Sequence, residues 1–288
     1  MEQIIATTDF SDNSRAGMLF AIRIAQARNA RLIFLHVHQV LRASFWSDEE
    51  YADFIRRSAD TLSGELIDFV KEVCTFADGP LPEYQTAVHH NLDAVAGMVE
   101  YAERERTAYI CISTRGAGTF RKLYGTNTAR LISVSRIPVL CIPSDYDGAP
   151  IRSIMYASDL SDYEYELNRV ISFAKPIGAD IELLHLSDGL SLLPEREALE
   201  QELREKTGYP VTVRFRERDM AQSLLEDLDA AMKISSPSML VMFTNPRNSL
   251  FEYIFLSSKT KDFSFNPTVP LLSYNRLASG RPDSLEEA

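Results

Sequence analysis

The chain has 288 residues, long for one domain and comfortable for two, with 45% hydrophobic and 25% charged side chains. Its net charge of −11 excludes nucleic acid and anionic membrane as general partners, because neither would welcome so acidic a field. No apolar run approaches membrane-span length, the opening "MEQIIATTDFSD" does not read as a signal peptide, and Cys74, Cys111 and Cys141 show no metal-type spacing, so a reduced, cytoplasmic protein is expected.

In chain order, short apolar strands alternate with amphipathic helices, the pattern of a parallel sheet covered on both faces. Strands are expected near 3–8, 31–38, 84–89, 108–113 and 138–142. Ser47 and Glu50 form a capping box ahead of a long helix over 48–74, and Asn91 is expected to cap a later helix carrying Val95, Met98, Val99 and Ala102 at helical spacing. A turn-rich linker, "SDYDGAP", covers 144–150. Strands then recur near 152–157, 179–186, 210–215, 238–243 and 269–273, and 276–288 reads as a frayed tail.

The second series repeats the first. "IIATTDFSD" (4–12) aligns with "IMYASDLSD" (154–162), "ARLIFLHV" (30–37) with "ADIELLHL" (179–186), and "SRIPVLCIP" (135–143) with "NPTVPLLSY" (267–275). The expected fold is therefore α/β, with two tandem doubly wound five-stranded parallel-sheet domains over 1–143 and 151–275. Apolar edges at 138–142 and 269–273 suggest an intrachain domain pair, and a homodimer stays open.

In such a sheet, ligands sit beyond the carboxyl ends of the strands. Those ends carry Thr8 to Ser11, Val37 to Val40, His89 to Asn91 and the stretch "STRGAG". The last of these opens a segment with Gly116, Gly118 and Gly125 among Arg115, Arg121, Lys122 and Arg130, followed by a helix from Thr126. Glycines and a helix start favour phosphate, whereas an ordinary strand-to-helix turn with solvated basic residues remains the plain alternative. His36, His38, His89 and His90 with Asp9 leave a transition-metal site geometrically open, but strand-end histidines more often serve as hydrogen-bonding core residues, and no metal is expected.

"IIATTDFSDNSRAGMLFAIRIAQARNARLIFLHV" and "GTNTARLISVSRIPVLCIP", in that order, resemble the universal stress protein family, and the resemblance extends over nearly the whole chain as a tandem two-domain member. It implies a Rossmann-like, adenine-nucleotide alpha-hydrolase-like fold and a stress-response regulatory protein that binds and does not turn over substrate. It further implies one adenine nucleotide, ATP or AMP, in the first domain only. The candidate cofactor-binding residues are Asp9, Val37, Gly125 and Thr126, which match the family's positions, together with Arg115, Gly116, Gly118 and Asn127 of the same loop. The family's loop reads Gly, two residues, Gly, nine residues, then Gly with Ser or Thr. Gly125 and Thr126 match its end, whereas its first two glycine positions hold Ile112 and Arg115, whose side chains are expected to crowd ribose and phosphate.

The second domain keeps no glycine in its equivalent loop, and Phe251, Tyr253, Ile254 and Phe255 are expected to fill an unused cleft. Two rival functions stay open. One is a nucleotide-free interaction scaffold; the other, weaker, is a nucleotide hydrolase with Asp9 on a metal, opposed by the lack of a P-loop lysine or an "SGG" loop.

Overall fold

The computed structural model describes residues 1–114, 126–189, 193–244 and 269–276. Among these, the chain forms two compact units that divide between Gly148 and Ala149. Unit 1 runs β1 (Gln3–Thr7), α1 (Asp12–Arg28), β2 (Arg31–His38), α2 (Asp48–Cys74), β3 (Tyr84–His90), α3 (Ala94–Arg104), β4 (Tyr109–Thr114), α4 (Thr126–Val134) and β5 (Val139–Pro143). Its strands lie in the order β3-β2-β1-β4-β5, all parallel. Unit 2 repeats this with β6 (Ser153–Ala157), α5 (Tyr163–Ile177), β7 (Asp180–Ser187), α6 (Arg196–Thr207), β8 (Val211–Glu217), α7 (Leu224–Ser235), β9 (Met239–Thr244) and β10 (Leu271–Asn275), ordered β8-β7-β6-β9-β10. All ten expected strands are present.

The strands are central because they are apolar on both faces: Ile4, Ile5, Ala6 and Leu32 to Leu35 are fully buried. Right-handed crossovers then send the chain to opposite faces on either side of β1. Arg15 of α1 reaches Glu72 of α2 at 2.9 Å, and Arg130 of α4 reaches Asp93, the N-cap of α3, at 2.8 Å, so each helix pair is tied on its own face. Chains leaving the neighbouring strands β1 and β4 therefore part from each other and open a crevice.

Helix ends follow their local chemistry, with two departures. Ser47 and Glu50 close the expected capping box on α2. Asn91 is not the cap of α3: its side chain accepts from the Asp93 nitrogen at 2.9 Å, and Asp93 accepts from Ala96 at 2.8 Å. Ser11 stands at the N-cap position of α1 but makes no side-chain cap bond, because its hydroxyl donates to Asp9 instead. At the far ends, Asn29 and Gly178 occupy matching left-handed positions that stop α1 and α5.

Candidate functional site

The crevice of unit 1 begins where β1 ends. The Thr8 nitrogen donates to the Leu35 carbonyl at 2.9 Å, the last rung between β1 and β2. The Thr8 hydroxyl lies 2.8 Å from that of Ser14 and accepts from the Phe10 nitrogen at 3.0 Å. Phe10 is left-handed, with φ of 63°, a conformation that costs a bulky residue about 1–2 kcal/mol. Its ring is held against His36 at 4.5 Å and Phe69 at 5.9 Å between centroids. This turn presents Asp9 at the surface, where its Oδ1 accepts from the Ser11 nitrogen at 3.1 Å and the Ser11 hydroxyl at 2.5 Å. Asp9 is thus an anchored, exposed carboxylate and not the helix cap.

β2 supplies the crevice wall. His36 places Nδ1 2.9 Å from the Thr8 carbonyl, bracing the turn from beneath. Since Leu35 directs its carbonyl to the β1 side, strand alternation directs the N–H and C=O of Val37 to that same side, beyond the point where β1 has stopped. The Val37 side chain faces away into the core against α3, where a Cβ on Gly97 would lie only 2.7 Å from Val37 Cγ1. A peptide edge is left facing the crevice.

β4 forms the floor. Ser113 accepts from the Gly17 nitrogen at 2.8 Å and donates to the Ser14 carbonyl at 3.1 Å, fixing the first turns of α1 to the strand end. Ile112 pairs with Cys141 inside β4 and is 8% exposed. It is a core residue of the strand. Arg115, Gly116, Gly118, Gly125, Arg121 and Lys122 lie outside the described residues, as do Phe251, Tyr253, Ile254 and Phe255. Thr126 opens α4 and Asn127 beside it is exposed. Of the basic cluster, Arg130 is already paired with Asp93.

The histidines are distributed differently from one shared cluster. His90 places Nδ1 3.0 Å from the His38 carbonyl and Nε2 3.4 Å from the Tyr51 hydroxyl, and His89 lies 3.5 Å from Glu100. Among the described residues no group of three or more His, Cys, Asp or Glu side chains is arranged to hold a metal ion.

Unit 2 repeats the main hydrogen bonds of the turn and then fills it. Asp159 accepts from the Ser161 nitrogen at 2.9 Å and hydroxyl at 2.7 Å, Leu160 has φ of 64°, and His185 places Nδ1 2.9 Å from the Ser158 carbonyl. Arg276, expected in the tail, instead directs its guanidinium onto Asp159 with bonds of 2.7 and 2.9 Å. No sequence signal short of the strand alignment places that arginine opposite the repeated aspartate.

The sequence model described as "Universal stress protein family" matches residues 1–143. No curated protein sequence matches the chain. Among solved structures, a universal stress protein from Archaeoglobus fulgidus DSM 4304 is 17% identical, covering 95% of this chain and 98% of its own, with a TM-score of 0.68. A functionally unknown protein from Pseudomonas aeruginosa PAO1 is 12% identical, with 98% of both chains covered and a TM-score of 0.53. A universal stress protein in complex with cAMP is 20% identical over 49% of this chain and 96% of its own, with a TM-score of 0.37. The first two share the fold across both units; the third spans the length of one.

Proposed function

The chain belongs to the universal stress protein family through residues 1–143, and from that premise we propose that it is a cytoplasmic binding and regulatory protein whose first unit holds one adenine nucleotide, ATP or AMP. What carries the reading is the Val37 peptide edge, whose donor and acceptor face the crevice past the end of β1 and match the donor and acceptor edge of adenine. On this reading Asp9, exposed and held by Ser11, accepts from ribose hydroxyls. The phosphates then fall to the segment from Arg115 to Asn127, where Gly125 allows close backbone approach and the start of α4 favours an anion.

Regulation by occupancy, and not turnover, fits the imidazole nearest the turn. His36 has Nδ1 committed to a backbone carbonyl and its ring packed on Phe10, which suits a brace better than a mobile general base. Three free thiols suit a reducing compartment.

Calorimetry of the full chain with ATP and with AMP tests the reading. One site per chain is expected. Asp9→Ala should weaken it by about tenfold or more, the loss of a charge-assisted hydrogen bond worth roughly 1.5–3 kcal/mol, and Gly125→Val should abolish it. A stoichiometry of two, or affinity unchanged by both substitutions, removes the proposal, and phosphate release above the buffer rate removes its non-catalytic part.

A further inference from the structure

Unit 2 contains a charged cluster, built around a buried carboxylate, that the nucleotide reading does not use. Glu166, in the first turn of α5, falls at the position that Ala16 holds in the first repeat and is 2% exposed. A carboxylate buried this far requires strong partners. The Tyr156 hydroxyl donates to its Oε2 at 2.5 Å, and Arg276 Nε donates to its Oε1 at 2.6 Å. The other edge of the same guanidinium makes a parallel pair of bonds to Asp159, which Ser161 holds in place.

Three nitrogens of one planar cation thus meet oxygens of two carboxylates. That fork selects a guanidinium over an ammonium, which cannot make two parallel bonds in one plane. The receptor groups stand on β6, on the turn after it and on α5, whereas the cation arrives from the residue that follows β10. Receptor and occupant are separate pieces of the fold.

We propose that Asp159, Glu166 and Tyr156 form a guanidinium-binding site, occupied here by Arg276 of the same chain, which closes the cleft of unit 2 to anionic ligands. A phosphate entering that cleft meets two carboxylates, so the site takes a cation of alkylguanidinium type when Arg276 is absent. Burial pushes Asp159 up, but bonds from Arg276 and Ser161 outweigh it and hold the carboxyl well below the usual carboxylate range. Burial keeps the Glu166 carboxyl raised although Arg276 and Tyr156 pull it down. Both carboxyls accept from the one guanidinium, Asp159 through two bonds and Glu166 through one.

The test uses full-length Arg276→Ala, titrated with methylguanidinium at millimolar concentrations and followed by thermal unfolding, with methylammonium as control. The substitution should lower Tm, and methylguanidinium should restore it saturably, with methylammonium weaker by about tenfold or more. Wild type and the double variant Asp159→Asn with Arg276→Ala should show no saturable response. Folded Arg276→Ala that ignores methylguanidinium, or answers both cations alike, overturns the proposal. Should Arg276→Ala fail to fold alone, refolding decides: recovery of the native circular dichroism with methylguanidinium only is expected, and no recovery with it overturns the site.

Discussion

Gly17 has no room for a methyl group. A Cβ there would lie 2.5 Å from the Ser113 hydroxyl oxygen and 3.0 Å from the Ser113 backbone nitrogen, and the backbone atom cannot swing aside. Gly17→Ala should therefore lift α1 from β4 and destabilise by about 1–3 kcal/mol, read as a lower urea midpoint at unchanged slope. Gly64→Ala, on α2 with open space around it, should be neutral or stabilising by up to about 1 kcal/mol. Equal losses at both positions would refute the steric account. His38 supplies the pH-dependent counterpart. It is 9% exposed, and burial, followed by neighbouring His90 and His36, holds its imidazole below the ordinary histidine range. A folded value below the unfolded one, about 6.5, favours the neutral ring, so this contribution is complete above the unfolded value and lost as pH falls through it toward the folded one. The urea midpoint of the wild type should fall between pH 8 and pH 5, and that of His38→Gln should fall less; parallel curves would remove His38 from the explanation.

At the scale of the element, α2 is held unevenly. Its buried residues Leu66, Val70 and Val73 all lie in the second half, whereas the first half rests on the capping box, on the Tyr51 hydroxyl bonded to the Val40 carbonyl at 2.8 Å, and on Trp46 against Phe54 at 4.8 Å. Ser47→Ala should cost roughly 0.5–2 kcal/mol. Amide exchange should accelerate over the first turns of α2 while Leu66 to Val73 stay protected; acceleration along the whole helix would mean the cap supports the packing as well. The same capping rule read well at Ser47 and badly at Asn91, for a physical reason. Asn91 and Asp93 are both good caps, and only the end of β3 at His90 leaves Asn91 to turn the chain and Asp93 to start the helix.

At the scale of the whole molecule, the repeat extends below the elements to single hydrogen bonds. His36 with Thr8 and His185 with Ser158 make the same bond in the two units, as do the two Asp–Ser turns. The thiols give this architecture a measurable consequence. Cys111 and Cys141 are 1% and 2% exposed and burial raises both thiols, whereas Cys74 is only half-buried, its thiol also raised by burial. Under native conditions a maleimide should label Cys74 first, and Cys111 and Cys141 together at the opening rate of unit 1. Prompt labelling of Cys141 alone would show that β5 opens separately.

Periodicity and composition determined the ten strands, the long second helix and the placing of Asp9 and Val37 at strand ends, because each depends on neighbours a few residues apart, and the duplication was legible because whole stretches recur in the same order. Two features lay beyond that reach. The left-handed Phe10 is held by His36 and Phe69, and Asp93, not Asn91, caps α3. The filled second cleft was furthest from view: Arg276 meets Glu166 across 110 positions and Asp159 across 117. Read locally, Glu166 was one more acid on a helix and Arg276 one more base in a tail. Only the parallel order of β6, β9 and β10 brings the residue after β10 to the end of β6, and a charge buried there is tolerated because its opposite arrives with it.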